Sequence, residues 1–242
     1  IYYNTVTNNV IYNVTLTATS PFACVDTTYG SVLVFPNPTA QFSIDSLNGC
    51  HPLEVNYTNS STGGTFYHWD LGDGTSFDTL SSNFQHTYIN TTGATLQPQV
   101  ELIAETDRGC KDTVTQIVDV YPKVTAVLQA DTVGCSPFTT TFNNFSLGAN
   151  KYYWDFGDGS PIDTTFNPTH QFINSGLTNV YYTVSLIIES VYGCMDTTYQ
   201  DILVYPATTA MLAVNDTIGC HPLTIGFTNN KSDYLPKRVV CN

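Results

Sequence analysis

Two pairs of carboxylates stand out as groups able to do chemistry: Asp70 with Asp73, and Asp155 with Asp158. They sit in near-identical heptapeptides, Trp69-Asp-Leu-Gly-Asp-Gly-Thr75 and Trp154-Asp-Phe-Gly-Asp-Gly-Ser160, with the tryptophans 85 residues apart. A carboxylate pair serves general acid–base catalysis when a cleft holds it against a substrate, and clustered carboxylates serve hard cations such as calcium. A duplicated surface turn supplies no cleft. Two carboxylates at i, i+3 are also too few to make a calcium site alone, so Asp73 and Asp158 are weak calcium candidates. The simpler reading is a strand running into a tight turn. Gly72, Gly74, Gly157 and Gly159 allow positive φ, and an aspartate between glycines can bond its own backbone.

Histidine and cysteine recur on the same beat. His86 in Gln-His-Thr-Tyr and His170 in Thr-His-Gln-Phe lie 84 residues apart. Cys50-His51 and Cys220-His221 suggest zinc, but the middle copy has Ser136 in place of the histidine, and no C-x-x-C occurs. A ligand role is therefore not a property of the repeat.

The elements that must position these residues are repeats themselves. Gly49-Cys50-His51-Pro52-Leu53 returns as Gly134-Cys135-Ser136-Pro137-Phe138 and Gly219-Cys220-His221-Pro222-Leu223. A second cysteine series, Cys24, Cys110 and Cys194, each followed by x-Asp-Thr, keeps the same spacing, and Phe35-Pro36, Tyr121-Pro122 and Tyr205-Pro206 close the units. The boundaries then fall at 1–36 (the second half of a repeat), 37–122, 123–206 (two whole repeats) and 207–242 (the start of another with a divergent tail). Residues 231–242, with Cys241, match nothing upstream. The apolar period is two, as in Leu53, Val55, Tyr57 and in Val100, Leu102, Ala104. About seven short strands in each repeat predict an all-β antiparallel sandwich, strands A to G, with no helix. Short proline-bearing joints predict a semi-rigid linear array.

Composition narrows the partners. Seven Lys+Arg against 20 Asp+Glu give a net charge of −13. That disfavours nucleic acid and anionic membrane surfaces. No apolar run is long enough to span a bilayer.

The W-D-F-G-D-G motif, twice at domain spacing, resembles the signature of the PKD domain family of immunoglobulin-like modules, and the resemblance covers nearly the whole chain. It implies tandem sandwiches in which Trp69, Asp70, Gly72, Asp73, Gly74 and Trp154, Asp155, Gly157, Asp158, Gly159 form a structural motif. His86 and His170 would then be packing and hydrogen-bonding residues beside it. The arrays look like those of Bacteroidota surface adhesins exported by type IX secretion. They imply an extracellular fibre, stalk or adhesin with no chemistry in this segment and no cofactor beyond the calcium candidates. Its partners would be neighbouring repeats, self-assembled filaments, and glycans or surfaces. The alternative is a spacer or carbohydrate-binding array of a secreted chitinase or protease. For a carbohydrate platform the nearest residues are Tyr152 and Tyr153.

Two modifications are expected. Asp followed by Thr or Ser and then an aliphatic residue or Thr resembles the O-glycosylation signal of the same bacteria and marks Thr27, Ser46, Thr79, Thr113, Thr132, Thr164, Thr197 and Thr217. The alternative is that Asp-Thr simply starts strands. Asn-x-Ser/Thr sequons, as at Asn56 and Asn90, are expected by chance in this composition. The cysteines imply disulfides. Bonds within a repeat, Cys50–Cys110 and Cys135–Cys194, would have to link A–B and F–G turns at opposite ends of a sandwich. A head-to-tail array instead predicts Cys50 with Cys194 between repeats, leaving Cys24, Cys110, Cys135 and Cys220 to partners in repeats outside the chain.

Overall fold

The computed structural model describes residues 1–79, 83–208, 212–215 and 217–229; the divergent tail lies outside them. No helix occurs among the described residues, as expected. The chain forms two compact units, residues 1–123 and 124–242.

The first unit opens with a hairpin, β1 (Val10–Thr19) and β2 (Val25–Val34), paired antiparallel along its length. The strands of a sandwich follow: β3 (Phe42–Ile44), β4 (Asn48–Cys50), β5 (Leu53–Asn59), β6 (Phe66–Asp70), β7 (Ser76–Thr79), β8 (Asn83–Tyr88), β9 (Gln99–Glu105), β10 (Lys111–Ile117) and β11 (Asp119–Tyr121). One sheet runs β10-β9-β6-β7, the other β3-β5-β8. Strand A is split into β3 and β4. β3 pairs with β5, then the chain crosses and β4 runs parallel to β11, with Cys50 opposite Tyr121.

The second unit repeats the plan with β12 (Leu128–Gln129), β13 (Val133–Cys135), β14 (Phe138–Thr141), β15 (Asn143–Asn144), β16 (Lys151–Asp155), β17 (Thr169–Phe172), β18 (Val180–Glu189) and β19 (Met195–Tyr205). Here β13 runs parallel to the end of β19, with Cys135 opposite Tyr205. A last pair, β20 (Leu212–Val214) and β21 (Phe227–Asn229), is antiparallel.

The alternation of the sequence becomes the core. Leu53, Val55 and Tyr57 on β5 are buried, as are Val100, Leu102 and Ala104 on β9. Trp69, fully buried, stands between the sheets, with the rings of Phe42, Tyr57 and Phe84 at 5.0, 5.7 and 4.9 Å. Trp154 holds the equivalent place beside Phe142. Burial follows the layer opposite rather than the residue type. Leu16 in the hairpin, equivalent to fully buried Leu102, is 65% exposed, because no second sheet covers β1 and β2 among the described residues.

Replacing Trp69 or Trp154 by Ala removes the largest side chain of its core and should cost about 3–5 kcal/mol. Each unit holds one tryptophan. The Trp154 fluorescence of W69A therefore reports the second unit, and circular dichroism should show the first unit unfolding at lower urea. A wild-type midpoint for that unit would contradict the assignment.

Candidate functional site

The duplicated turn is held by its own aspartates. β6 ends at Asp70, whose Oδ1 accepts the Gly72 amide at 2.9 Å, and the Leu71 amide closes the loop on the Thr75 carbonyl. Gly72 has φ of +74°, and a Cβ there would lie 2.5 Å from the Gln99 carbonyl oxygen. Neither the conformation nor the space admits a side chain. Gly157 is under the same two constraints against Thr183.

Asp73 then reaches inward. Its Oδ1 accepts the Thr75 amide at 3.0 Å, and its Oδ2 lies 2.7 Å from His86 Nε2. Asp158 repeats this with the Ser160 amide at 3.0 Å and His170 Nε2 at 2.8 Å, and adds the Ser160 hydroxyl at 2.6 Å. The turn backbone is open to solvent, but the side chains of Asp73 and His86 are only 21% and 18% exposed. Aromatic rings cover the imidazoles: Tyr88 meets His86 edge-on, and His170 lies flat on Phe156 at 3.9 Å.

An Asp–His pair is also the orienting half of a nucleophile-activating triad. Here the rings pack against aromatic neighbours, and the carboxylates hold turn amides. Both oxygens of Asp73 are engaged inside the protein, which weakens the calcium reading. The described residues contain no group of three or more His, Cys, Asp or Glu that could hold a metal.

Burial pushes the Asp73 carboxyl up, but its bonds from His86 and from Thr75 outweigh that and leave it below the usual carboxylate range. Asp158 follows the same balance through Ser160 and His170.

Asn4, Asn90 and Asn174, at the cysteine spacing, are the residues that sequence reasoning missed. Asn90 is fully buried, and its Nδ2 donates to the carbonyls of Ala94 and Val120 at 2.9 and 2.6 Å. Asn174 donates in the same way to Thr178 and Val204, and Asn4 to Asn8 and Val34. Each thereby pins a loop to the end of the last strand. Read as a glycosylation sequon, Asn90 instead has its amide nitrogen committed to the core.

The backbone amides of Asn90 and Asn174 complete the motif, donating at 2.9 Å to His51 Nδ1 and to Ser136 Oγ respectively. The position after the cysteine therefore needs an acceptor, which explains why histidine and serine exchange there.

The other sequence candidates fall into place. Several aspartates of the Asp-Thr triplets have structural work: Asp112 and Asp196 accept the amides of Ala40 and Ala126 at 2.8 Å, and Asp45 holds Asn56 by two bonds. Thr27, Thr113, Thr164, Thr197 and Thr217 are exposed, while Ser46, Thr79 and Thr132 are half-buried. Tyr152 and Tyr153 form no open platform: both are half-buried, with Tyr153 donating to Glu189 and Tyr152 edge-on to Phe166.

Cys50, Cys135 and Cys194 are disulfide-bonded, whereas Cys24, Cys110 and Cys220 are free thiols. The bonded state of Cys135 corrects the expectation that its partner lies outside the chain.

Replacing Asp73 or Asp158 by Asn should cost about 1–3 kcal/mol at neutral pH. The sign with pH follows from depressed carboxyls: they stabilise the fold above the unfolded-state pKa, and the gain disappears as pH falls through the lower folded value. The stability gap between wild type and D73N, measured by urea unfolding, should therefore shrink below about pH 4, near the ordinary carboxylate value. A gap constant from pH 7 to pH 2 would remove the carboxylate from this role.

The solved PKD1 domain of Vibrio anguillarum Epp is similar at 25% identity with a TM-score of 0.29, over 34% of this chain and 94% of that one. The PKD1 domain of the Vibrio cholerae metalloprotease PrtV is similar at 24% identity with a TM-score of 0.29, over 36% and 99%. A Ca²⁺-stabilised ice-binding adhesin of an Antarctic bacterium aligns at 12% identity with a TM-score of 0.33, over 85% and 59%. No curated protein matches the chain. Residues 120–204, the segment that carries the second of the two turns, match the family model of the PKD domain.

Proposed function

We propose that the chain is an extracellular structural array, a length of surface fibre, stalk or adhesin in which successive repeats are tied covalently. The place and state of the cysteines carry this reading. Cys50 sits at the exit end of its repeat, opposite Tyr121, and is bonded; Cys110, at the other end of that repeat's last strand, is a free thiol. A Cys135–Cys194 bond would have to cross the whole of β19. At about 3.3 Å per residue that is over 30 Å, against the roughly 7 Å that a disulfide allows between Cα atoms. This reading joins Cys50 to Cys194, a staple between repeats contributing about 2–4 kcal/mol. Disulfides of this kind belong to an oxidising, extracytoplasmic compartment.

The mechanism is mechanical. A repeat under tension is pulled through strand A, of which β4 is the second half, and through its last strand. β4 and β11 are parallel neighbours, so the load shears their ladder as a whole instead of unzipping it bond by bond. With the turn aspartates and histidines engaged internally, partners would meet hydroxyl, amide and carboxylate groups interspersed with exposed apolar side chains such as Phe66, Phe145 and Leu177. The exposed threonines Thr27, Thr113, Thr164, Thr197 and Thr217 are the sugar-bearing sites of this reading, and neighbouring repeats are its first partners.

Non-reducing peptide mapping should recover Cys50 joined to Cys194, and a Cys50–Cys110 peptide would end the staple. The same mass spectrometry on protein from its native host should find sugar on the exposed threonines first. An unmodified intact mass would remove the glycan part and leave the staple standing.

A further inference from the structure

The first hairpin carries every feature that, in the two whole repeats, receives the Gly-Cys-x-Pro strand. In the first sandwich two bonds flank the ladder between this strand and the last one: the Asp119 amide donates to the Leu47 carbonyl, and the His51 amide to the Tyr121 carbonyl. The second unit repeats both, from the Leu203 amide to Thr132 and from the Ser136 amide to Tyr205. A third point is the Asn90 or Asn174 amide on the residue after the cysteine.

In the hairpin the equivalent groups are the Leu33 amide, the Phe35 carbonyl and the Asn4 amide. Asn4 is already clamped to Val34 and Asn8 as Asn90 is to Val120 and Ala94. Among the described residues, β2 pairs with β1 alone, so its outer edge is open.

A cysteine arriving on that edge would stand opposite Phe35, as Cys50 stands opposite Tyr121. Parallel strands place such neighbours about 4.8 Å apart. The turn that meets this spot holds Cys110. Arg108, two residues before it, lies over the Phe35 ring at 5.3 Å, and Cys110 is a half-buried free thiol. Its repeat equivalent, Cys194, is disulfide-bonded.

We propose that the Leu33–Phe35 edge, with the Asn4 amide, docks a parallel strand of the type Gly-Cys-(His or Ser)-Pro and delivers its cysteine to Cys110 as a disulfide. The inference rests on the stapled-array reading and names the partner chemistry of the next joint.

The test uses the full chain and a synthetic peptide with the sequence of residues 215–223, Asn-Asp-Thr-Ile-Gly-Cys-His-Pro-Leu. The peptide cysteine is supplied as its 2-thiopyridyl disulfide, so no further oxidant is needed. A protein thiolate attacks the peptide sulfur, the new S–S bond forms, the bond to the thiopyridyl group breaks, and thiopyridone leaves with the electron pair and takes up a proton. Cys110 should be captured at least about tenfold faster than Cys24 or Cys220, although both of those are exposed, and faster than by a scrambled peptide that keeps the cysteine. Capture in order of exposure, or equal capture by the scrambled peptide, overturns the docking. Mapping of the untreated chain reads Cys50–Cys194 separately, so failure of the staple and failure of the docking are distinguishable.

Discussion

The structure depends on one closure, the laying of a short Gly-Cys strand parallel to the end of each repeat's last strand. Without it strand A would stay in one sheet and the sandwich would lack a seam between its layers. The glycine makes the crossing possible. A Cβ at Gly49 would sit 2.5 Å from Leu53 Cδ1, and Gly134 and Gly219 are blocked more tightly by Phe138 and Leu223. The leucine or phenylalanine four residues on lies across the glycine as the chain crosses. The motif Gly-Cys-x-Pro-Leu is thus a packing rule, and the cysteine lies at the end of a repeat because of it.

That closure is secured by polar groups that water does not reach. A buried amide side chain costs stability unless its donors and acceptor find partners. Asn90 satisfies this with Ala94, Val120 and Thr92, and Asn174 with Thr178, Val204 and Gly176. The same bonds fix the direction in which the backbone amide points, and that amide receives the incoming strand through His51 or Ser136. A pinned loop and a docked strand are thus one network at the end of each sandwich.

Much of this was legible in the sequence. Period-two alternation located the strands around Leu53–Tyr57 and Val100–Ala104, the duplicated heptapeptide located the turn, and the repeat phase located the cysteines. Sequence reasoning missed whatever depends on one atom finding another across the fold. Asp73 and His86 were recognised separately, but only the fold shows that Oδ2 and Nε2 meet. Asn90 looked like a chance sequon because its neighbours Thr91 and Thr92 fit that pattern; comparison with Asn4 and Asn174 at the repeat spacing carried the signal. The crossing of strand A was not readable, since β4 has three residues and no period to detect.

The two units also act as a substitution experiment, and the comparison separates what the fold needs from what it tolerates. In the first, Tyr57 and Tyr88 are buried with their hydroxyls 2.6 Å apart, and Tyr88 donates onward to the Leu71 carbonyl. Burial pushes both phenols up, Tyr88 to about 12. The second unit has Phe142 and Phe172 at the same places, equally buried. The hydroxyl pair is exchangeable for two apolar rings, because both members leave together and neither hydroxyl is left without the other. The Asp–His bond is kept in both units, for the converse reason. Losing either partner leaves a largely covered carboxylate or imidazole beside aromatic rings, and a matched change would also release the Thr75 or Ser160 amide that holds the turn. The core can trade polarity for bulk, whereas the turn cannot trade its carboxylate for anything that leaves those donors unmet.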